Sequence, residues 1–408
     1  MSMPALRFNF DSDWRETPLS TLLTFNNGIN ATKDSYGHGR KFINVLDILN
    51  NEYILYDDII GSVSVSEKQE EVSKVEYGDM LFLRSSETRE DVGKSSTYLD
   101  ENEYALFGGF VIRGKKVGEY DPYFLKLLLD TSSARDQVSS KAGGSTRYNV
   151  SQTILNSVSL YMPSLEEQHK IATFFSLFDQ KKVKQQEKVK QLEQFKKGVT
   201  KKIFSQEIRF KDENGQDFPE WDEKSLGEMG LFRKGGSLSK SDLSETGESC
   251  ILYGELYTRY TSIIEEVHSK TEVSDNGTVY GNVNDVLIPS SGESAIDIAQ
   301  ASALLVDNVL LGGDLNVFKP NEGVSGPFLS YQINSIKRKE LAKLAQGASV
   351  VHLYSESLKK LIVWLPDYKE QLKIASFLSL LDKKIVQENK KLLSLKEIKK
   401  GFLQKMFI

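Results

Sequence analysis

Two stretches of this chain, Pro163 to Phe204 and Pro366 to Phe407, align without a gap at a constant offset of 203, with 19 of 42 positions identical. Upstream the likeness thins but persists. Trp14 answers Trp221, Gly78-Asp79-Met80-Leu81 answers Asn284-Asp285-Val286-Leu287, and Phe107-Gly108-Gly109 answers Leu311-Gly312-Gly313. The period lies far above the roughly 20 to 50 residues of a solenoid unit, so the chain reads as a duplicated domain pair. At roughly 150 residues per domain, its length also gives two or three folding units.

Each copy opens after a proline, carries acids near its start (Glu166, Glu167, Glu370) and keeps its glycines, Gly198 and Gly401, at the far end. That plan predicts one long helix per copy. Apolar residues then recur by threes and fours: Val183, Val189, Leu192, Phe195, Val199 and Ile203, and again Val386, Leu392, Leu395, Ile398, Phe402 and Met406. Gln186 and Asn389 fill the polar slot between the first two of each set. The spacing predicts a coiled-coil seam in which the two helices pair with each other. Only sixteen residues, Ser205 to Glu220, lead into the next lobe, and Asn214-Gly215 and Phe218-Pro219 mark them as turn and linker. The second lobe therefore joins the end of one helix to the start of the other, and the helices are expected to be antiparallel. The roughly 26 residues from Asp179 to Phe204 make a rod of about 40 Å, the length of about 11 to 12 base pairs.

The segments outside the helices read as α/β or α+β. Tyr53 to Ile60, Gly78 to Ser85, Phe107 to Lys116, Asn284 to Ser291 and Asn316 to Pro320 are short strand-like runs. Pro122 to Ser140 and Pro327 to Gln346 have helical periodicity. A glycine-bearing turn follows each, Ala142 to Asn149 and Ala345 to Tyr354, before closing strands at Ser157 to Pro163 and Lys360 to Pro366. The expected organisation is a two-lobed α/β (α+β) protein: lobes 1–162 and 221–365, helices 163–205 and 366–408, and a linker at 206–220. An approximate two-fold axis relates the lobes. Hydrophobic residues at 39% supply enough apolar material for real cores. The single cysteine, Cys250, fits a reducing compartment. The absence of ~18 consecutive apolar residues or a signal-peptide plan makes the cytoplasm the expected location.

The residues outline no catalytic or metal site. His38, His169, His268 and His352 are scattered, without Cys or carboxylate partners at metal-ligand spacing. Gly109 to Lys116 has most of the outline of a phosphate-binding loop, but ends in Lys where a magnesium-binding Ser or Thr belongs, and its apolar interior favours a strand. Asp121-Pro122-Tyr123-Phe124 resembles the Asp-Pro-Pro-Tyr motif of amino-methyltransferases without the second proline. Its counterpart, Ser325-Gly326-Pro327-Phe328, lacks the acid, so both read as helix N-termini. An enzyme that fused recognition with chemistry would need such motifs. A coiled-coil scaffold with two ligand-binding lobes and no DNA role needs none.

The net charge of −5 excludes a uniformly basic coat, but its distribution is lopsided. Gln180 to Ser205 holds nine Lys and two Glu, Lys383 to Lys405 eight Lys and two Glu, leaving −18 elsewhere. A Lys-rich rod suits a polyanion or an acidic protein alongside. Within the lobes, groups able to meet phosphates or base edges are Arg40 and Lys41; Arg84, Ser85, Ser86, Arg89 and Lys94; and Arg147, Tyr148 and Asn149. The second half offers Arg233, Lys234, Ser237 and Lys240; Tyr257, Arg259 and Tyr260; Ser290 and Ser291; and His352 with Tyr354. Such side chains on loops hydrogen-bond and stack on bases.

Across essentially its whole length the chain resembles the specificity (S) subunit of type I restriction-modification enzymes. The likeness rests on the twin Pro-x-x-x-Glu-Gln-x-Lys-Ile-Ala-x-Phe stretches: Pro163, Glu167, Gln168, Lys170, Ile171, Ala172 and Phe174, and Pro366, Glu370, Gln371, Lys373, Ile374, Ala375 and Phe377. They continue into Leu177, Asp179, Leu380 and Asp382, and the Gly144 to Asn149 turn, Trp14 and Trp221 add to the likeness. The second turn, Gly347 to His352, departs from the pattern by replacing Ser-Thr-Arg-Tyr with Ala-Ser-Val-Val. The resemblance implies two target recognition domains that read the halves of a split DNA sequence, with the helices as an antiparallel spacer. It also implies two methyltransferase (M) subunits carrying S-adenosylmethionine and, in the full complex, two restriction (R) subunits using ATP and Mg²⁺. The chain itself would hold no cofactor and no catalytic residue.

Overall fold

The computed structural model describes residues 4–10, 13–144, 146–273 and 277–407. It divides into two compact units, Met1–Gln186 with Lys391–Ile408, and Glu187–Lys390. Each takes one end of each of two long helices, Leu165–Phe204 and Tyr368–Met406. In the first unit Phe174 and Phe178 lie against Phe402, at ring-centre distances of 5.1 and 5.7 Å, and Trp14 and Phe175 pack on Phe407. In the second, Ile203 and Phe204 share a core with Trp221, Phe328, Ile374 and Leu378. The start of one helix thus lies beside the end of the other in both units, and the pair runs antiparallel. No helix among the described residues is long and apolar enough to cross a membrane.

The inward faces keep a strict three-four alternation: 175, 178, 182, 185, 189, 192, 196, 199, 203 in one helix, and the same positions plus 203 in the other. Val189, Leu192, Val199, Ile203, Leu392, Leu395, Phe402 and Met406 lie on this face. Six seam assignments made from sequence are displaced by one residue. Val183, Phe195, Val386 and Ile398 are 45 to 54% exposed. The inward slots belong to Lys182, Lys196, Ile385 and Lys399, and the polar slot to Gln185 and Glu388 rather than Gln186 and Asn389. Geometry explains the shift. At 3.6 residues per turn each step of three falls roughly 60° short and each step of four overshoots by roughly 40°, so the unbroken threes from Val183 to Phe195 leave the face.

Lysine is tolerated inside because the opposite long helix answers it with an aspartate that a lobe tyrosine also engages. In the first unit the Lys399 ammonium lies 2.7 Å from Asp179, which also accepts from the Tyr123 hydroxyl. In the second, Lys196 pairs with Asp382, which accepts from Tyr331 at 2.7 Å. Burial and the neighbouring aspartate push both phenols far up, keeping them as donors. Glu52 adds a second anchor in the first unit, 2.8 Å from Lys182 and 3.3 Å from Lys126.

The repeated motif builds joints rather than a reaction site. Glu167 takes a bidentate hydrogen bond from Arg7, both at 2.7 Å, and Glu370 takes one from Arg209 at 2.8 and 3.3 Å. The carboxamides of Gln168 and Gln371 accept from the N–H groups of Asp121 and Ser325 at the N-caps of the lobe helices Pro122–Leu129 and Gly326–Gln332. Leu6 and Phe8 match Ile208 and Phe210 in their contacts, with the backbone of Lys405 or Lys202 and the rings of Phe174 or Phe377. The duplication therefore reaches into the leading segment of each unit.

Each lobe is built on an antiparallel sheet. In the first unit it runs Leu23–Asn27, Val111–Lys116, Met80–Leu83, Ser95–Thr97; in the second the matching strands are Gly230–Lys234, Leu315–Pro320, Val286–Pro289 and Ser302–Leu304, extended by Ile263–Ile264, which pairs parallel to Ser302–Leu304. Tyr53 to Ile60, a strand from sequence, forms a 3₁₀ turn at Tyr56–Asp58 instead, with the Tyr56 N–H donating to Asp100. The Pro122 to Ser140 helix divides at Asp130, because Thr131 caps a second helix, Ser132–Ser139.

Candidate nucleic-acid interface

The central strand of each lobe ends in a short extension that pairs with the outgoing arm of the glycine-bearing turn. In the first unit Ser85–Ser86 pairs antiparallel with Tyr148–Asn149, and in the second Ser291–Gly292 pairs with Val351–His352. The turns close as small hairpins, Gly143 with Asn149 and Gln346 with His352. Gly144 and Gly347 adopt φ of +120° and +122°, where a Cβ would strike the carbonyls of Arg147 and Val350. Only glycine fits there comfortably.

This ladder brings together groups more than 60 residues apart. The Ser85 hydroxyl donates to Asn149 at 2.5 Å, the Arg89 guanidinium lies 4.8 Å from the Tyr148 ring centre, and exposed Arg147 stands 3.6 Å from Glu87. Arg84 is tied to the adjoining loop: its N–H donates to the Phe110 carbonyl and its guanidinium to the Gly109 carbonyl. Within the Gly144 to Asn149 turn, Ser145 lies outside the described residues.

The second unit repeats the backbone with other side chains. Ser290 occupies the place of Arg84, its N–H donating to the Asp314 carbonyl as Arg84 does to Phe110. His352 and exposed Tyr354 stack with ring centres 6.0 Å apart, and Tyr257 approaches the ladder at Gly292. The turn following Lys234, which carries Ser237, is hydrogen-bonded to the Leu311–Leu315 segment through Gly235 and Gly236, while Lys240 lies exposed beyond it.

Other candidates have partners within their own lobes. Arg40 is paired with Glu70 and Glu103 and lies over the Tyr104 ring; Lys41 donates to the Ile59 carbonyl; Lys94 pairs with Asp91. Arg233 is fixed on Asp285 at 2.8 Å, Arg259 pairs with Glu255 one turn back, and buried Tyr260 accepts from the His268 N–H. Sequence reasoning missed Phe110 and Leu49, which are exposed on a groove shared with Ser85 and Arg147, and Leu46, which is exposed on a neighbouring groove that Phe110 also lines. Their apolar character reads as core, and no local signal says otherwise.

Among the described residues no group of three His, Cys, Asp or Glu is placed to hold a metal. Cys250 is buried, and burial together with Glu255 pushes its thiol up to about 11, so the thiolate is scarce at neutral pH.

Comparison with known proteins accounts for the duplication. The profile of the type I restriction modification DNA specificity domain matches residues 12–194 and 219–397. The chain is 27% identical to the putative type I restriction enzyme MjaX specificity subunit of Methanocaldococcus jannaschii, covering 96% of this chain and 92% of that one. Against the MjaIX specificity subunit of the same organism the identity is 23%, covering 92% and 87%. The fold is similar to the crystal structure of the S subunit from M. genitalium, with a TM-score of 0.61 at 18% identity over 100% of this chain and 99% of that one. A structure described under complex assembly and conformational transition of the type I R-M system gives a TM-score of 0.59 at 15% identity, covering 98% and 99%. With its two matched repeats, the chain belongs to the specificity subunits of type I restriction-modification systems and carries two target recognition domains.

Proposed function

We propose that each lobe reads one half of a bipartite duplex target through its hairpin-and-strand ladder. The observation that carries this is one backbone scaffold presented twice with different chemistry. Arg84, Phe110, Arg147 and Asn149 stand in the first unit where Ser290, Asp314, Val350 and His352 stand in the second. A rigid frame with exchangeable polar tips is what base-edge reading requires, since the donor and acceptor pattern differs for each base pair. Ser85, Ser86, Arg89 and Tyr148 would support the first reader, and Ser237, Ser291, Tyr257 and Tyr354 the second.

In this reading the chain supplies address and no chemistry, acting in the cytoplasm. Methyltransferase subunits bind S-adenosylmethionine, and restriction subunits use ATP and Mg²⁺. The apolar residues left outside the helix seam suit docking: Leu177, Val183 and Phe195 recur as Leu380, Val386 and Ile398. A set of exposed apolar residues repeated at one offset fits two copies of one partner. The Lys-rich helix surfaces and the −18 elsewhere favour a duplex clamp completed by those partners.

Single-molecule methylation mapping in a strain carrying all three subunits is expected to show one split motif. Arg147→Ala is expected to relax one half only, by about 1 to 3 kcal/mol. An undivided motif, or relaxation of both halves together, would overturn the assignment.

A further inference from the structure

We propose that the first lobe recognises a thymine C5-methyl group in the major groove of its half-site through an apolar patch centred on Phe110. The inference rests on the duplex-reading role above and names the chemistry that the first reader takes.

Phe110 is 58% exposed, and its exposure is built in. The loop that carries it is fixed by the Arg84 N–H on the Phe110 carbonyl at 2.9 Å and by the Arg84 guanidinium on Gly109 at 3.2 Å. Leu46, 65% exposed, and Leu49, 38%, lie one turn apart on the helix Val45–Asn50, whose start is held by a capping box between Asn44 and Asp47. Phe110 and Val45 line two grooves, of about 330 and 410 Å³. One is walled also by Asn30 and Asn44, the other by Ser85 and Arg147. The acids facing the second groove are matched: Glu87 by Arg147 at 3.6 Å and Asp91 by Lys94 at 2.5 Å.

Water-exposed apolar side chains held rigidly beside carboxamides and a guanidinium fit a base edge better than a protein core. Thymine alone among the bases offers the major groove a methyl group, and an adjacent adenine suits an Asn carboxamide. The second lobe carries different chemistry at the equivalent place. Asp314 replaces Phe110, and the corresponding helix, Tyr253–Thr258, brings the Tyr257 hydroxyl toward the ladder.

The test measures binding of the chain, co-produced with its methyltransferase subunits, to duplexes in which deoxyuridine replaces thymine in one half-site at a time. Loss of one methyl contact is expected to weaken binding about fourfold in one half-site and leave the other unchanged. Phe110→Ala is expected to weaken the thymine duplex and to abolish the difference between thymine and deoxyuridine; Leu46→Ala is a second variant outside the sheet. Insensitivity of both half-sites in the wild type, or a difference that survives Phe110→Ala, overturns the proposal. So does loss of the methyltransferase subunits, or of self-association, in Phe110→Ala while the deoxyuridine response remains. Failure of the wild-type complex to retard the unmodified duplex would instead sink the duplex-reading role itself.

Discussion

Asp179 and Asp382 occupy equivalent places, each holding a lysine of the opposite helix and a tyrosine of its own lobe, yet the two triads sit in different surroundings. The Asp179 and Lys399 side chains are 5% and 11% exposed, while those of Asp382 and Lys196 are 27% and 25%. Removing one partner of a buried pair leaves an uncompensated charge, whereas a wetter pair is screened. Lys399→Met is therefore expected to destabilise the fold by about 3 kcal/mol, and Lys196→Met by about 1 kcal/mol. Equal losses in denaturant unfolding would show that burial does not set the difference. Glu52 offers a pH test at the same joint. Burial alone would raise its carboxyl, but Lys126, Lys399 and Lys182 outweigh burial and hold it well below the ordinary 4.5. A depressed carboxylate stabilises the fold above its unfolded value, and that contribution disappears as pH falls below about 4.5 toward the folded one. The melting temperature of the wild type is expected to fall more steeply from about pH 4.5 down to about pH 3 than that of Glu52→Gln. Neither triad was legible from sequence, because a lysine at a heptad slot looks like a solvated one until the carboxylate opposite it is known.

The long helices were legible because their signals are local: a proline before the start, acids in the first turn, glycine only near the end. Their register was not. Choosing apolar residues at Val183 and Phe195 selects a stripe that drifts off the contact face, and only the ion pairs at Lys182 and Lys196 reveal the true slots. The same division runs through the hairpin-and-strand ladder. Ser85 and Asn149 each stood out in the sequence, but their meeting depends on a ladder that joins strands more than 60 residues apart. Phe110 lay hidden within an apolar run whose neighbours, Val111 and Ile112, are indeed buried. The hairpin makes this element testable by one glycine. Gly144→Ala places a Cβ against the Arg147 carbonyl at a φ of +120°, which is expected to cost about 1 to 2 kcal/mol. The loss should appear as relaxed reading of one half-site in methylation mapping, with the other half intact. Relaxation of both would mean that the hairpin supports the whole fold rather than one reader.

At the scale of the molecule, the repeat assigns the same joints to both units, so what distinguishes them is the chemistry at the ladder tips and what couples them is the pair of long helices. If helix length sets the unspecified gap between half-sites, deleting seven residues from Gln186 onward in one helix and from Asn389 onward in the other should change the gap alone. A seven-residue deletion preserves the heptad register and turns each helix by only about 20°. It shortens each by about 10.5 Å, or about three base pairs at ~3.4 Å per pair. Three pairs also rotate one half-site by roughly 100° about the duplex, since B-DNA repeats about every 10.5 pairs. The shortened chain must therefore reach its second half-site from a different angle. The expected outcome is an unchanged pair of half-sites, a gap shorter by about three positions, and weaker methylation of the new site than of the original by its parent. Mapping that returned altered half-sites at the original gap would locate the ruler in the lobes and remove it from the helices.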